Sequence, residues 1–248
     1  MWDRPQVLVA IADLLTVGAV AALGLAGVVW LARLPIFPLR EMVLTSEPAR
    51  VTRAQLEYAV RLGADGNFFT VSLDRVRAAL ERLPWVRRAE VRRVWPGRLE
   101  ISLQEHSARA RWRDPGTESL LVNREGEVFA AAYENSLPLF TGPEGTSALM
   151  LKRYDEFSSI LRAKGRSIRR LDLSTRQAWR MELDDGLNID LGRDQSKAPL
   201  AERLTRFAAV REQVVEKLGP GIAYVDLRYP NGFAARVAGG AAVRNKEK

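Results

Sequence analysis

Cysteine is absent from this chain, and histidine occurs once, at His106. The first absence excludes disulfides, thiolate metal sites and cysteine nucleophiles, while leaving the compartment open. The second leaves a histidine metal centre or a Ser-His-Asp triad almost nothing to draw on. Adjacent Asp184 and Asp185 invite an acid–base or metal reading, but they run into Gly186, and Asp-Gly is a hairpin-turn signature. The stretch Gly142-Pro143-Glu144-Gly145-Thr146 lacks the lysine of a phosphate-binding loop. No catalytic, cofactor-binding or metal-binding residue is therefore assigned, no cofactor is expected, and the chain reads as a non-enzyme.

Acidic residues are the minority charge: 30 Asp and Glu stand against 38 Lys and Arg, for a net charge of +8. The excess is concentrated between Arg75 and Arg113, where eleven arginines face only Glu81, Glu90, Glu100 and Glu105. Nucleic acid, anionic lipid or an acidic protein surface would each suit such a field. Interleaved aromatics of the kind that stack single strands are sparse, because Trp85, Trp95 and Trp112 each sit in a packing context. The reading adopted is a solvated arginine-rich face beside anionic headgroups, with no nucleic acid partner.

One long apolar run is present. Leu14 to Ala32 spans nineteen residues without a charge, and Thr16 is its only conventional polar side chain. As a helix it covers roughly 28 Å, close to the hydrocarbon thickness of about 30 Å. A helix satisfies its own backbone polar groups in lipid, so the run predicts a membrane span at 14–33 behind a short tail at 1–13. The rival is a cleaved signal peptide, with Gly24 and Ala26 at a suitable spacing. The apolar run continues past them through Leu31, which favours an uncleaved anchor. Trp2 with Arg4 and Trp30 with Arg33 suit the two interfaces. Arg33, Arg40, Arg50 and Arg53 follow the span, so the charge bias alone leaves its direction open. Gly18, Ala22 and Ala26 fall four residues apart, which predicts a face where another helix could approach.

Beyond the span the patterning is that of an α+β protein. Residues 37–44 alternate as a strand, and Thr52 followed by Gln55 predicts a capping box opening a short helix that ends near Gly63. Gly66-Asn67 marks a turn, and Phe68 and Phe69 are expected in the core. Ser72 caps a second helix, which Pro84 stops. Two strands joined through Trp95-Pro96-Gly97 follow. The order is β-α-α-β-β over residues 36–105.

This order, with Gly66-Asn67-Phe68-Phe69, Leu83-Pro84-Trp85-Val86, Ala89-Glu90-Val91 and Val94-Trp95-Pro96-Gly97-Arg98-Leu99, resembles the POTRA domain of the FtsQ/DivIB family of bacterial cell-division proteins. That family usually closes the first strand with glycine, whereas Leu44-Thr45-Ser46-Glu47 stands here, so the turn must be made differently. Glu105 to Trp112 resembles the family's domain junction, with Ala108 at its proline position and Asn123 later replacing its usual aspartate.

Residues 106–240 read as a mixed sheet with flanking helices. A hairpin runs through residues 120–129, and a short strand at 137–140 precedes a helix from about Thr146 to Ala163. Strands follow at 168–173, 179–183 and 187–191, then a helix at 199–218 and strands at 222–228 and 233–237. Residues 241–248 read as a disordered tail. Trp179, Asp185-Gly186, Leu191-Gly192-Arg193, Arg203-Leu204 with Arg206-Phe207, and Tyr224 to Phe233 resemble the family's β domain in order.

The resemblance implies a single-pass inner-membrane scaffold with its carboxyl side outside the cytoplasm, concentrated at the division septum. It also implies binding of the partners FtsB and FtsL by strand addition to an open edge formed by the last strand. Mapped onto this sequence, the implied partner-binding residues are Arg193, Arg203, Arg228, Tyr229, Asn231, Gly232 and Phe233. Other division proteins could engage the POTRA unit or the membrane helix. The alternative is a membrane-tethered periplasmic POTRA-containing assembly or cell-wall-associated factor outside division. An outer-membrane barrel protein is disfavoured, because no series of roughly ten-residue alternating strands is present.

Overall fold

The computed structural model describes residues 5–114, 117–219, 221–229, 232–237 and 242–246. The chain divides between Glu105 and His106 into two compact units.

The first unit opens with helix α1, Pro5–Arg33. Residues Val9–Arg33 are long and apolar enough to cross a membrane, and none of that segment is buried against protein. Leu14, Leu23, Val28 and Trp30 are all largely exposed. The hydroxyl of Thr16 donates to the carbonyl of Ala12 at 2.8 Å, so the one polar side chain of the run is satisfied within the helix. An apolar helix whose sides no other element buries is the form that lipid covers, so α1 is a candidate single membrane anchor.

Behind it the element order is β1 (Glu41–Leu44), α2 (Arg53–Gly63), α3 (Leu73–Glu81), β2 (Val86–Val94) and β3 (Arg98–Glu105). The sheet order is β1-β3-β2, with β1 parallel and β2 antiparallel to the central strand. The capping box forms as the sequence predicts: Gln55 N–H donates to the Thr52 hydroxyl at 3.3 Å, and Thr52 N–H donates to the Gln55 side chain at 2.9 Å. Leu56 and Val60 of α2, Val76 and Leu80 of α3, and Val86, Ala89 and Ile101 of the sheet form the core.

After β1, where the family usually has a glycine, two hydroxyls and a carboxylate act instead. Thr45 donates to the Ile101 carbonyl from its N–H at 3.0 Å and from its hydroxyl at 3.2 Å. The Ser46 hydroxyl accepts from Leu103 N–H at 2.8 Å. Glu105 then receives the N–H groups of Ala49, Arg50 and Val51 at 2.9, 2.9 and 3.0 Å, an anion held in successive backbone donors.

The pairing of Phe68 and Phe69 as core residues needs correction. Phe68 is buried, but Phe69 is 45% exposed. The Asn67 side-chain carbonyl accepts from both Phe69 N–H and Thr70 N–H, and this local turn carries Phe69 off the core.

The second unit is built on a ten-stranded sheet of order β13-β12-β11-β10-β9-β8-β7-β4-β5-β6. Its strands are β4 (Ala108–Asp114), β5 (Thr117–Asn123), β6 (Val128–Ala130), β7 (Leu139–Thr141), β8 (Ile168–Leu173), β9 (Trp179–Leu183), β10 (Asn188–Gly192), β11 (Ile222–Asp226), β12 (Gly232–Val237) and β13 (Ala242–Lys246). Two parallel pairs, β7–β8 and β10–β11, are bridged by helices α4 (Ser147–Arg162) and α5 (Leu200–Leu218). Phe157 and Leu161 of α4 and Leu204 and Phe207 of α5 share a core with Phe140, Trp179, Ile189, Leu191 and Val225 of the sheet. The intervening positions carry ion pairs instead, such as Arg180 with Asp190 at 3.2 Å and Arg170 with Asp172 at 2.9 Å.

Asn123 is fully buried. Its carbonyl accepts from Glu125 and Glu127 N–H at 3.0 and 2.8 Å, and its amide donates to the Glu127 carboxylate and meets His106 Nδ1 at 2.9 Å. Neutral asparagine thus both caps the hairpin and donates to the nearby glutamate, which an aspartate could not do. Asp185 accepts from Leu187 N–H and pairs with Arg211, as the turn reading of that acidic doublet requires.

One expectation differs at the carboxyl end. Residues 242–246 were expected to be without structure, but β13 pairs antiparallel with β12, setting Gly232 opposite Lys246 and Ala234 opposite Arg244. The strand at Gly232–Val237 is therefore not the edge of the sheet. β13 is.

Candidate partner-binding edge

Parallel pairing of β10 and β11 sends both strands to the same end of the sheet, where the implied binding residues lie. Asp190 faces Asp226 in the register, and Leu227 N–H donates to the Asp190 carbonyl at 2.8 Å, carrying the pairing one residue past β11. At Gly192 the backbone takes φ +68°, and a β-carbon there would stand 2.7 Å from Cγ of Arg228. Glycine lets the 191–193 turn lie directly against Arg228.

Arg228 does not reach outward unattached. Its Nε donates to Asp226 Oδ1 at 2.9 Å and its Nη2 to Oδ2 at 2.6 Å, while its own backbone N–H adds a third bond at 3.0 Å. Burial pushes the Asp226 carboxyl up, but the hydrogen bonds and charge of Arg228 outweigh this and hold it below the usual aspartate value. The same hydrogen bond and charge raise Arg228 above the ordinary arginine value. Nearby, burial first and then the charges of Asp190 and Asp226 push the Tyr224 hydroxyl up.

Arg203 requires a correction of role. It is 3% exposed, so its side chain is not a contact surface. Its guanidinium donates to the carbonyls of Leu191 at 2.6 Å, Leu227 at 3.3 Å and Arg193 at 2.5 Å. A charged side chain on an amphipathic helix reads as surface in the sequence. Here it is folded under, and it ties the ends of β10 and β11 together. Burial lowers its pKa from the usual arginine value.

Arg193 is exposed, and among the described residues its side chain has no ion-pair partner. Tyr229 is 39% exposed. Phe233 is half-buried and meets Phe207 edge-on, with ring centroids 5.5 Å apart, so its ring packs against the core. Gly232 begins β12. Asn231 lies outside the described residues. The structure thus gathers Arg193, Arg228, Tyr229, Gly232 and Phe233 around one end of β10, β11 and β12. It also adds two residues that were not among the implied contacts: exposed Arg206 and half-buried Val210 of α5 line a shallow groove with Gly232 and Phe233, over buried Arg203. Their helical spacing from Arg203 was the available cue.

The other implied contact face, Gly18, Ala22 and Ala26 on α1, is fully uncovered, with open space beside Gly18. Among the described residues no cluster of His, Cys, Asp or Glu could hold a metal ion.

Comparison with known proteins accounts for both units. Residues 37–106 match the family model "POTRA domain, FtsQ-type", and residues 110–228 match "Cell division protein FtsQ/DivIB, C-terminal". Among similar curated proteins, Cell division protein FtsQ of Nitrosospira multiformis is 38% identical over 242 residues, covering 95% of this chain and 99% of that one. The FtsQ proteins of Burkholderia pseudomallei and Bordetella pertussis are 36% and 38% identical, each covering 96% of this chain. The C-terminal family match stops at Arg228, just before Tyr229 and β12.

Proposed function

This chain belongs to the FtsQ/DivIB family of cell division proteins, and we propose that it acts as a non-enzymatic scaffold of the division machinery, linking early and late division proteins. In this reading α1 holds the molecule in the inner membrane with its amino terminus in the cytoplasm, and both folded units stand in the periplasm at the septum. FtsB, paired with FtsL, is the partner.

The observation that carries this reading is the construction at the end of β10, β11 and β12. Arg193 is exposed and, among the described residues, without an ion-pair partner, half-exposed Tyr229 follows β11, and the short strand β13 covers β12. A partner strand adding along β12 would gain main-chain hydrogen bonds. Arg193 would supply a forked contact to a partner carboxylate, and Tyr229 a large, stiff side chain. Five-residue β13 then acts as a guard in cis, shielding an edge that would otherwise invite aggregation and giving way to the partner.

A fluorescent fusion to the intact chain tests the scaffold role. It gathers at midcell only when α1 and the POTRA unit are both present. Uniform membrane fluorescence of the intact fusion in dividing cells contradicts the proposal.

A further inference from the structure

Helix α1 does not end in a free linker. Its last carbonyls have no partner within the helix and need donors from elsewhere. The Asn67 amide supplies them, donating to the carbonyls of Ala32 and Leu34 at 2.7 Å each. Asn67 is itself 7% exposed, and its side-chain carbonyl is taken up by Phe69 and Thr70. Phe68 N–H adds a bond to the Phe37 carbonyl at 2.9 Å, and Arg40 N–H donates to Gly97 at 2.7 Å. The membrane helix, the α2–α3 loop and the β2–β3 turn are therefore joined in one base.

Four aromatic rings meet at that base. Phe37 lies 4.9 Å from Phe69 and 6.3 Å from Trp95, and Phe68 lies 5.8 Å from Trp95. Phe68 is buried, yet Trp95 is 64% exposed, Phe69 45% and neighbouring Ile36 58%. At most about 14 Å of chain separates Arg33 from Phe37. Strands β2 and β3 lead away from this base, so Gln104 lies roughly 23 Å along β3 from Gly97.

We propose that Ile36, Phe69 and Trp95 form a lipid seat, by which the POTRA unit rests in the headgroup–acyl boundary around its own anchor. Aromatic rings are favoured at that depth, where their apolar faces leave water. Exposed Arg33 and Arg40 stand on the same short segment and suit anionic headgroups. A soluble protein partner would not require the surface to lie at the end of a membrane helix. The seat would fix the tilt of the POTRA unit on the membrane.

The inference rests on α1 spanning a bilayer, and the test separates the two. Because the chain has no cysteine, single cysteines can be labelled uniquely with a nitroxide in the full chain. The labelled chain is reconstituted into vesicles of phosphatidylethanolamine and phosphatidylglycerol. Labels at Ile36→Cys and Phe69→Cys are expected to favour oxygen over a water-soluble nickel chelate, at a depth of about 5–10 Å. A label at Leu23→Cys reads deeper, and one at Gln104→Cys reads as aqueous. With Phe69→Ser and Trp95→Ser together, the Ile36 label shifts toward nickel accessibility. Nickel access at residue 69 equal to that at Gln104, with Leu23 still in lipid, overturns the seat and leaves the anchor standing. An aqueous Leu23 overturns both.

Discussion

Arg228 grips Asp226 through its side chain and its backbone N–H at once, and the carboxylate so held is almost entirely buried. Because the folded-state pKa of Asp226 lies below its unfolded value, the pair contributes stability that is fully present above about pH 3.9. That contribution is lost as pH falls through the depressed folded value. Tyr224 has the opposite sign: its pKa is raised, so its contribution holds below about pH 10 and fades above it. Urea midpoints measured against pH should fall at both extremes. Asp226→Asn should flatten the acid limb and Tyr224→Phe the alkaline one.

Arg203 gives a second test. Replacing it with methionine keeps the stem but leaves the carbonyls of Leu191, Arg193 and Leu227 without their buried donor. The expected cost is roughly 2–4 kcal/mol. Lysine should not restore it, since one ammonium cannot reproduce the planar fork. Chemical denaturation of the three proteins reads the effect directly.

In the first unit, Glu105→Gln should destabilise by about 1–3 kcal/mol, because three backbone donors at residues 49–51 lose their anion. Hydrogen exchange at those amides should rise with it. Unchanged protection would mean that the loop is held by other contacts.

These tests follow the line between what the sequence disclosed and what it did not. The apolar span, the Thr52–Gln55 cap and the β-α-α-β-β order were legible because each depends on residues close together in the chain. The resemblance that put Arg203 among the contact residues carries a position and a residue type, and neither records that its guanidinium turns back onto the strand ends. Phe69 was misjudged because adjacent aromatics look alike until the Asn67 turn separates them. The pairing of β13 with β12 left no trace, since small and polar residues carry no strand periodicity. Arg206 and Val210 joined the site only once β12 was set beside α5.

Removing residues 242–248 should strengthen partner binding, because the guard strand no longer competes. If β13 leaves β12 open about a tenth of the time, the gain is roughly tenfold. Titration of FtsB–FtsL against the truncated and full chains measures it. Weaker binding by the truncated chain would show that the partner uses β13 rather than replacing it.

The partner is proposed to engage β12 beside Arg193 and Tyr229. The direct measurement is the affinity of FtsB–FtsL for the full chain in membranes, compared with Arg193→Glu combined with Tyr229→Ala. The double variant should show a Kd about 10–100-fold higher with an unchanged unfolding midpoint. A Kd equal to that of the unaltered chain would contradict it.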